Sequence, residues 1–173
     1  MKTPVLKTKR LILRPLSIDD APWIQKKFND WNIVRYMNAS VPWPYPDDGA
    51  ETFLKTVVLP NIQENKAFHW AICLPNNLKE GVGVISFRHN IDVHDGHRGF
   101  WIETQKQRKG YITEAVGVVN DFVFNDLGFE EFRVENAIDN IGSHKVKIKT
   151  GAKLIGTHER DFVCGKCETE VWT

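Results

Sequence analysis

Apolar residues along this chain change their spacing several times, and each change marks an element. "KRLILR" (9–14) is a short apolar run between basic residues, the pattern of a strand buried at its centre. Behind Pro15, "SIDDAPWIQKKFND" sets Ile18, Ala21, Ile24 and Phe28 at helical spacing, with Ser17 as cap and Asp20 placed to close a capping box. Asp30 and Asn32 interrupt that helix, and a short helical turn is expected at Ile33 to Met37. Three prolines in "VPWPYPDDG" exclude regular structure. A second helix is expected from Asp47 or Asp48 to about Leu59, where Pro60 bends or ends it.

From Ala67 the period drops to that of a strand. "AFHWAICL" and "GVGVISFRH" read as an antiparallel hairpin, and "GHRGFWIET" as the next strand. After Gly110 the helical period returns: Ile112, Ala115, Val116, Val119, Phe122 and Val123 fall on one face, and the helix ends near Gly128. In "EEFRVENAI" the inward positions are Phe132, Val134 and Ile138. A shorter helix, Ser143 to Thr150, stops at Gly151, and the tail closes as a hairpin about a Gly165-Lys166 turn. The predicted order is strand, two helices, three strands, helix, strand, helix, two strands. That is an α+β or α/β mixture with a mostly antiparallel first half. The connection from "GFWIE" through the long helix to "FRVENAI" predicts parallel neighbours joined by a right-handed crossover.

Composition narrows this to one domain, residues 1–173. At 42% hydrophobic and 26% charged, a chain of this length buries roughly 70% of the surface it exposes unfolded. With 23 Lys and Arg against 22 Asp and Glu, the net charge of +1 supplies no global field towards nucleic acid or a membrane surface. Any anion site must be local. No run approaches the ~20 apolar residues of a membrane span. Three cysteines, Cys73, Cys164 and Cys167, and a start without a long apolar stretch lead us to expect a cytoplasmic protein.

The local candidate is "TQKQRKGYITEAVGVV" (104–119), where Gly110 and the cations Arg108 and Lys109 precede a helix. A helix start offers unpaired N–H groups and about half a positive charge, so it can hold an anion. The same letters also suit a solvated turn, and local pattern leaves both readings open. Other constellations read plainly. His89, Asp92, His94, Asp95 and His97 lack metal-ligand spacing and read as a solvated hairpin loop, so no metal is expected. "CGKC" (164–167) reads as two cysteines flanking a turn, Trp70 as core, and Asp47 and Asp48 as helix caps. Trp43 and Tyr45, in the Pro-rich loop, are assigned to the cleft or its rim as substrate-binding residues.

Three segments carry a family resemblance. "LKTKRLILRPLSIDDA", "GFWIETQKQRKGYITEA" and "DNIGSHKVKIKTGAKLIG" resemble the opening strand and helix, the cofactor strand with its pyrophosphate loop, and the Asn-x-x-Ser segment of GNAT N-acetyltransferases, RimJ/RimL-like branch. The resemblance implies a GNAT fold, with a central mixed, mostly antiparallel twisted sheet of about seven strands flanked by about four helices. It implies an acetyl-CoA-dependent transfer to a primary amine, with a protein N-terminus as the acceptor, a ribosomal protein among the candidates; small amines, amino sugars, antibiotics and a non-catalytic CoA-binding module are the alternatives. Monomer and homodimer both stay open.

By the same resemblance, the backbone of Ile102 and Thr104 pairs with the pantetheine arm. Amides from Gln107 to Thr113, through Arg108, Lys109, Gly110, Tyr111 and Ile112, hold the pyrophosphate. Asn140 bonds the pantetheine amide region, and Ser143 is the acid for the leaving thiolate. Glu103 is the candidate base, acting directly or through water, with a surface or salt-bridged carboxylate as the alternative reading; Asp161 is a weaker candidate. Arg108 stands where a Gly is common, Ile112 where a small residue is, and Ala152 where the family has Phe. Bulk at Ile112 is therefore expected to keep the cofactor at a distance.

Overall fold

The computed structural model describes residues 1–92 and 95–173. Five antiparallel strands, β1 (Leu6–Lys7), β2 (Ile12–Pro15), β3 (Ala67–Cys73), β4 (Gly83–Arg88) and β5 (Arg98–Ile102), form one sheet in that order. A second sheet has the order β6-β8-β7, from β6 (Val134–Ala137), β7 (Leu154–Phe162) and β8 (Gly165–Trp172). Every residue of β3 is buried, because both faces of the first sheet are covered. Phe68, Trp70 and Ile72 pack with Ala115, Val116 and Val119 of α5 (Tyr111–Asp121). Ala71 and Cys73 face the other layer, built from α1 (Ala21–Phe28), α2 (Trp31–Val34), α3 (Gly49–Phe53) and α4 (Leu59–Gln63). Trp70 is core as expected, its indole Nε1 donating to Pro4 O at 2.7 Å.

The strands from Ala67 to Ile102 lie where the sequence places them, and all six expected apolar positions of α5 and its continuation are buried. Elsewhere the chain departs from its pattern for identifiable reasons. Pro60 does not end its helix, because a π-helical stretch, Leu54–Val58, widens the turn before it and α4 then resumes. A wide turn relieves the clash and the missing donor that a proline imposes. In the closing hairpin Phe162 pairs with Gly165, so the turn is Val163-Cys164 and not Gly165-Lys166. Gly165, at φ +110°, supplies the left-handed residue where β8 begins. Ile138 is 39% exposed, against expectation. β6 stops at Ala137, and the inward position is filled by Asn136, whose Nδ2 donates to Glu170 Oε2 at 2.8 Å. The last helix, α6 (Ile141–Lys149), starts at Ile141, directly after its cap Asn140.

Among the described residues the strands form two sheets, of five and three, where one sheet of about seven was expected, and the division lies between β5 and β6. His97 N donates to Arg133 O at 2.8 Å, and among the described residues no strand pairing joins the sheets beyond that bond. The expected neighbours thus meet at one end and part at the other. β5 is bonded to β4 along one edge only, and its free edge borders a cleft.

Candidate active site

The cleft has a volume of about 850 Å³. Phe100, Trp101 and Ile102 of β5 line it on one side, continuing through Gln107, Arg108 and Gly110 into the first turn of α5. Asp139 to Ser143 and the face of α6 carrying Lys145, Val146 and Lys149 form the opposite wall. A third side comes from residues 32–37. Five cations line it, Arg35, Lys106, Arg108, Lys145 and Lys149, against one acid, Asp139. A chain of near-zero net charge has therefore concentrated positive potential locally.

The loop before α5 owes its shape to two left-handed residues, Arg108 at φ +60° and Gly110 at φ +79°. Glycine adopts that conformation freely, whereas a side-chain-bearing residue loses about 1–2 kcal/mol. The strain is held by a clip from the N-terminal segment. Arg10 Nη1 donates to Lys109 O at 3.0 Å and Arg10 Nε to Glu114 Oε2 at 2.7 Å, while the guanidinium lies 4.7 Å from the Tyr111 ring centre. Glu114 also accepts from Arg10 N at 2.8 Å and from the Thr8 hydroxyl. Partial burial raises the Glu114 carboxyl, and these hydrogen bonds more than reverse it, leaving it below the usual range. Arg10 and Glu114 are far apart in sequence, and no spacing rule connects them.

Most of the expected cofactor residues converge. Ile102, Gln107, Arg108, Gly110, Tyr111, Ile112, Thr113, Asn140 and Ser143 all line the cleft, and Gln107 Nε2 donates to Ile102 O at 3.4 Å. Thr104 and Lys109 are not among the lining residues: the Thr104 hydroxyl donates to Asp30 Oδ2 at 2.6 Å, and Lys109 offers its carbonyl to Arg10. Ile112 is only 8% exposed and belongs to the core cluster with Ile102 and Val116. Its side chain packs in the core, and the residue also borders the cleft.

Asn140 Oδ1 accepts from Ser143 N at 3.2 Å, capping α6 and fixing the serine. Ser143 is 7% exposed, and its hydroxyl oxygen accepts a hydrogen bond from Lys147 Nζ at 2.8 Å. That lysine went unnoticed in the sequence. The structure does not bring Glu103 to the cleft: its carboxylate lies 3.5 Å from Lys27 Nζ, outside the lining residues. Asp161, on β7, is exposed and also outside the lining.

Trp43 and Tyr45 do not line the cleft either. Trp43 packs against Trp31 with ring centres 5.3 Å apart, and Tyr45 sets its ring edge-on to Phe28 at 5.1 Å. Burial, with Asp48 nearby, pushes the Tyr45 hydroxyl up to about 12. Arg35, Tyr36 and Met37 take their place in the lining, and Tyr36 Oη donates to Asp139 O at 3.2 Å, tying two walls together. Asp48 accepts from the Thr52 hydroxyl at 3.2 Å and makes no side-chain bond to a backbone amide of its helix.

In the histidine loop, His97 is buried with Nδ1 2.8 Å from Asp95 O, while His94 lies outside the described residues. Among the described residues no three His, Cys, Asp or Glu side chains converge on a metal-sized point, and no helix is long and apolar enough to cross a membrane.

A free strand edge, a helix start bordered by cations and a capped serine on the facing wall define a group-transfer site for a donor carried on a long, phosphate-bearing arm. Residues 10–153 match the acetyltransferase (GNAT) domain, and the chain belongs to that family. It is 26% identical over 159 residues to YoaA, an uncharacterised N-acetyltransferase of Bacillus subtilis, covering 88% of this chain and 85% of that protein. The fold is that of the ribosomal-protein-S5-alanine acetyltransferase from Vibrio fischeri, with TM-score 0.81 and 18% identity over 98% of this chain and 94% of the other. RimL, a ribosomal L7/L12 α-N-protein acetyltransferase solved in complex with coenzyme A, gives TM-score 0.80 at 16% identity over 98% and 96%.

Proposed function

We propose that this acetyltransferase uses acetyl-CoA to acetylate the α-amino group of a protein N-terminus. The observation that carries this reading is the single cleft joining the Arg108–Gly110 loop to Ser143 between two separated sheets. Its residues fit the donor: the free edge of β5 can pair with a pantetheine arm as an added strand, and the amides from Gln107 to Thr113 meet a pyrophosphate at the start of α5. Lys145 and Lys149, one helical turn apart on α6, add further charge for phosphate. Hydrogen bonds to a charged group contribute roughly 1.5–3 kcal/mol each, enough for a few converging amides to hold it.

Acetyl-CoA supplies an activated thioester; the chain positions, polarises and protonates. An N–H of β5 polarises the carbonyl, and the Ser143 hydroxyl delivers a proton to the departing sulfur. An α-amino group with a pKa near ~8 is partly neutral at neutral pH, so its proton can leave to water without a strong base. Glu103, held by Lys27, is not required for that step. The acceptor side favours a peptide: Arg35 and the Tyr36–Met37 surface suit a chain with carboxylates and apolar side chains. The ribosomal-protein acetyltransferases among the structural neighbours support the same acceptor class.

Free-thiol release from acetyl-CoA, screened against N-terminal peptides, polyamines and aminoglycosides, tests this directly. Peptides should turn over fastest; turnover of polycations alone would overturn the acceptor, and none with any amine would leave a CoA-binding module. Ser143→Ala should lower kcat by roughly 10²–10⁴-fold, whereas Glu103→Gln should change it by less than about tenfold.

A further inference from the structure

Lys147 occupies a position where α6 turns a side chain inward, and it is 1% exposed. Its ammonium lies one helical turn from Ser143 and donates to Ser143 Oγ at 2.8 Å. The charged groups facing it come from three strands. Arg98 of β5 is itself buried and donates to Asn120 of α5. Glu135 of β6 is engaged by Arg160 and lies 3.4 Å from His158 Nε2. Glu170 of β8 sits 2.9 Å from His144 Nδ1 and accepts from Asn136. Both carboxylates thus have partners of their own.

We propose that Lys147 is a positioning residue that aims the Ser143 hydroxyl at the leaving sulfur and then replaces its proton. The inference rests on the reading of Ser143 as the acid. An ammonium can only donate, so Ser143 Oγ accepts from it and the serine O–H is left to point elsewhere, into the cleft. As the thiolate departs, the Ser143 O–H bond breaks and an S–H bond forms. One proton passes from Lys147 Nζ to Ser143 Oγ, and the neutral amine regains a proton from water. A neutral Lys147 has the opposite effect, because its lone pair draws the serine O–H towards itself and away from the sulfur. Both states are within reach: burial foremost, then Arg98, brings the lysine down to about 7, while Glu170 and Glu135 act in the other direction.

The test is kcat against pH, at saturating acetyl-CoA and acceptor peptide, for the unaltered chain, Lys147→Met, Ser143→Ala and the double variant. Methionine keeps the length and apolar stem of lysine without its charge. The unaltered enzyme should lose kcat as pH rises through about 7, opposite to the rise expected from deprotonating the acceptor amine. Lys147→Met should lower kcat roughly 10–100-fold with KM nearly unchanged, abolish that alkaline fall, and cost nothing further once Ser143 is alanine. An unaltered kcat and pH profile in Lys147→Met, or losses that multiply in the double variant, would overturn the proposal while leaving Ser143 as the acid. Full activity in Ser143→Ala would overturn the acid reading itself, and this inference with it. If Lys147→Met does not fold, 13C titration of the lysine Cε atoms in the unaltered chain decides. A midpoint near neutrality that moves in Ser143→Ala supports the pairing, and one above about 10 refutes it.

Discussion

Ile112 sits in the first turn of α5, where it borders the cleft while its side chain packs in the core. Truncating it should therefore act on stability. Ile112→Ala is expected to lose roughly 2–4 kcal/mol in urea unfolding, with acetyl-CoA affinity changed less than about threefold; a tighter complex at unchanged stability would show that the side chain does obstruct the donor. Aromatic residues made a similar division unreadable. Trp43 and Tyr45 lie in a loop too rich in proline for regular structure, which suggests function, yet Trp31 and Phe28 supply ring partners that only the folded chain brings near. Lys147 was hidden for the converse reason. Burying a lysine is costly unless a partner is present, so pattern alone assigns it to the surface, and its neighbours Arg98, Glu135 and Glu170 come from three other segments. Asn140 and Ser143, by contrast, were singled out by the family resemblance alone; the cap bond that joins them, from Ser143 N to Asn140 Oδ1, emerged only with the helix start at Ile141.

Among elements, the ones with a strict period were the ones readable in advance. β4 buries alternate residues, β3 buries every one and α5 buries a helical stripe, and their existence follows from their apolar runs and spacing. The loop between β5 and α5 could be located but not shaped, because its conformation depends on β2's flank. Arg10 and Glu114 fasten the loop from outside, so removing the clip should loosen the donor site with little effect on the fold. Arg10→Ala is expected to weaken acetyl-CoA binding roughly 3–10-fold, about 1 kcal/mol, with the peptide KM unchanged, as read by calorimetry and initial rates. An exposed ion pair contributes only about 0–1 kcal/mol to stability, so the melting temperature should move little; a large drop with unaltered donor affinity would make the clip purely structural.

For the molecule as a whole, two buried bases bias stability towards alkaline pH. Burial, reinforced by Arg88, pushes His69 down to about 4 from its ordinary 6.5. An unfolded chain therefore binds a proton that the folded chain refuses between those values, so the histidine's contribution should fall as pH drops through that window, by up to about 3 kcal/mol, and level off below it, where the carboxyls held low, Asp20, Glu114 and Glu170, lose theirs in turn. Lys147 adds the same sign higher up, with stability rising from about 7 to its ordinary 10.5. Urea midpoints at pH 7, 5.5 and 4 measure the first effect, and His69→Leu should flatten it; an unchanged slope would place the acid sensitivity elsewhere. The division of the sheet was the least readable feature. The order of elements implies that β5 and β6 are neighbours, but after the His97–Arg133 bond they do not pair, and no local spacing in the chain encodes that parting. That opening has a consequence for how such a site can vary. A recognition surface made chiefly of peptide groups specifies few side-chain identities. In the donor site proposed above, Arg108 and Ile112, which stand where the family resemblance leads one to expect a glycine and a small residue, would leave the amides in place, so the donor half can drift in letters as long as the chain keeps its path.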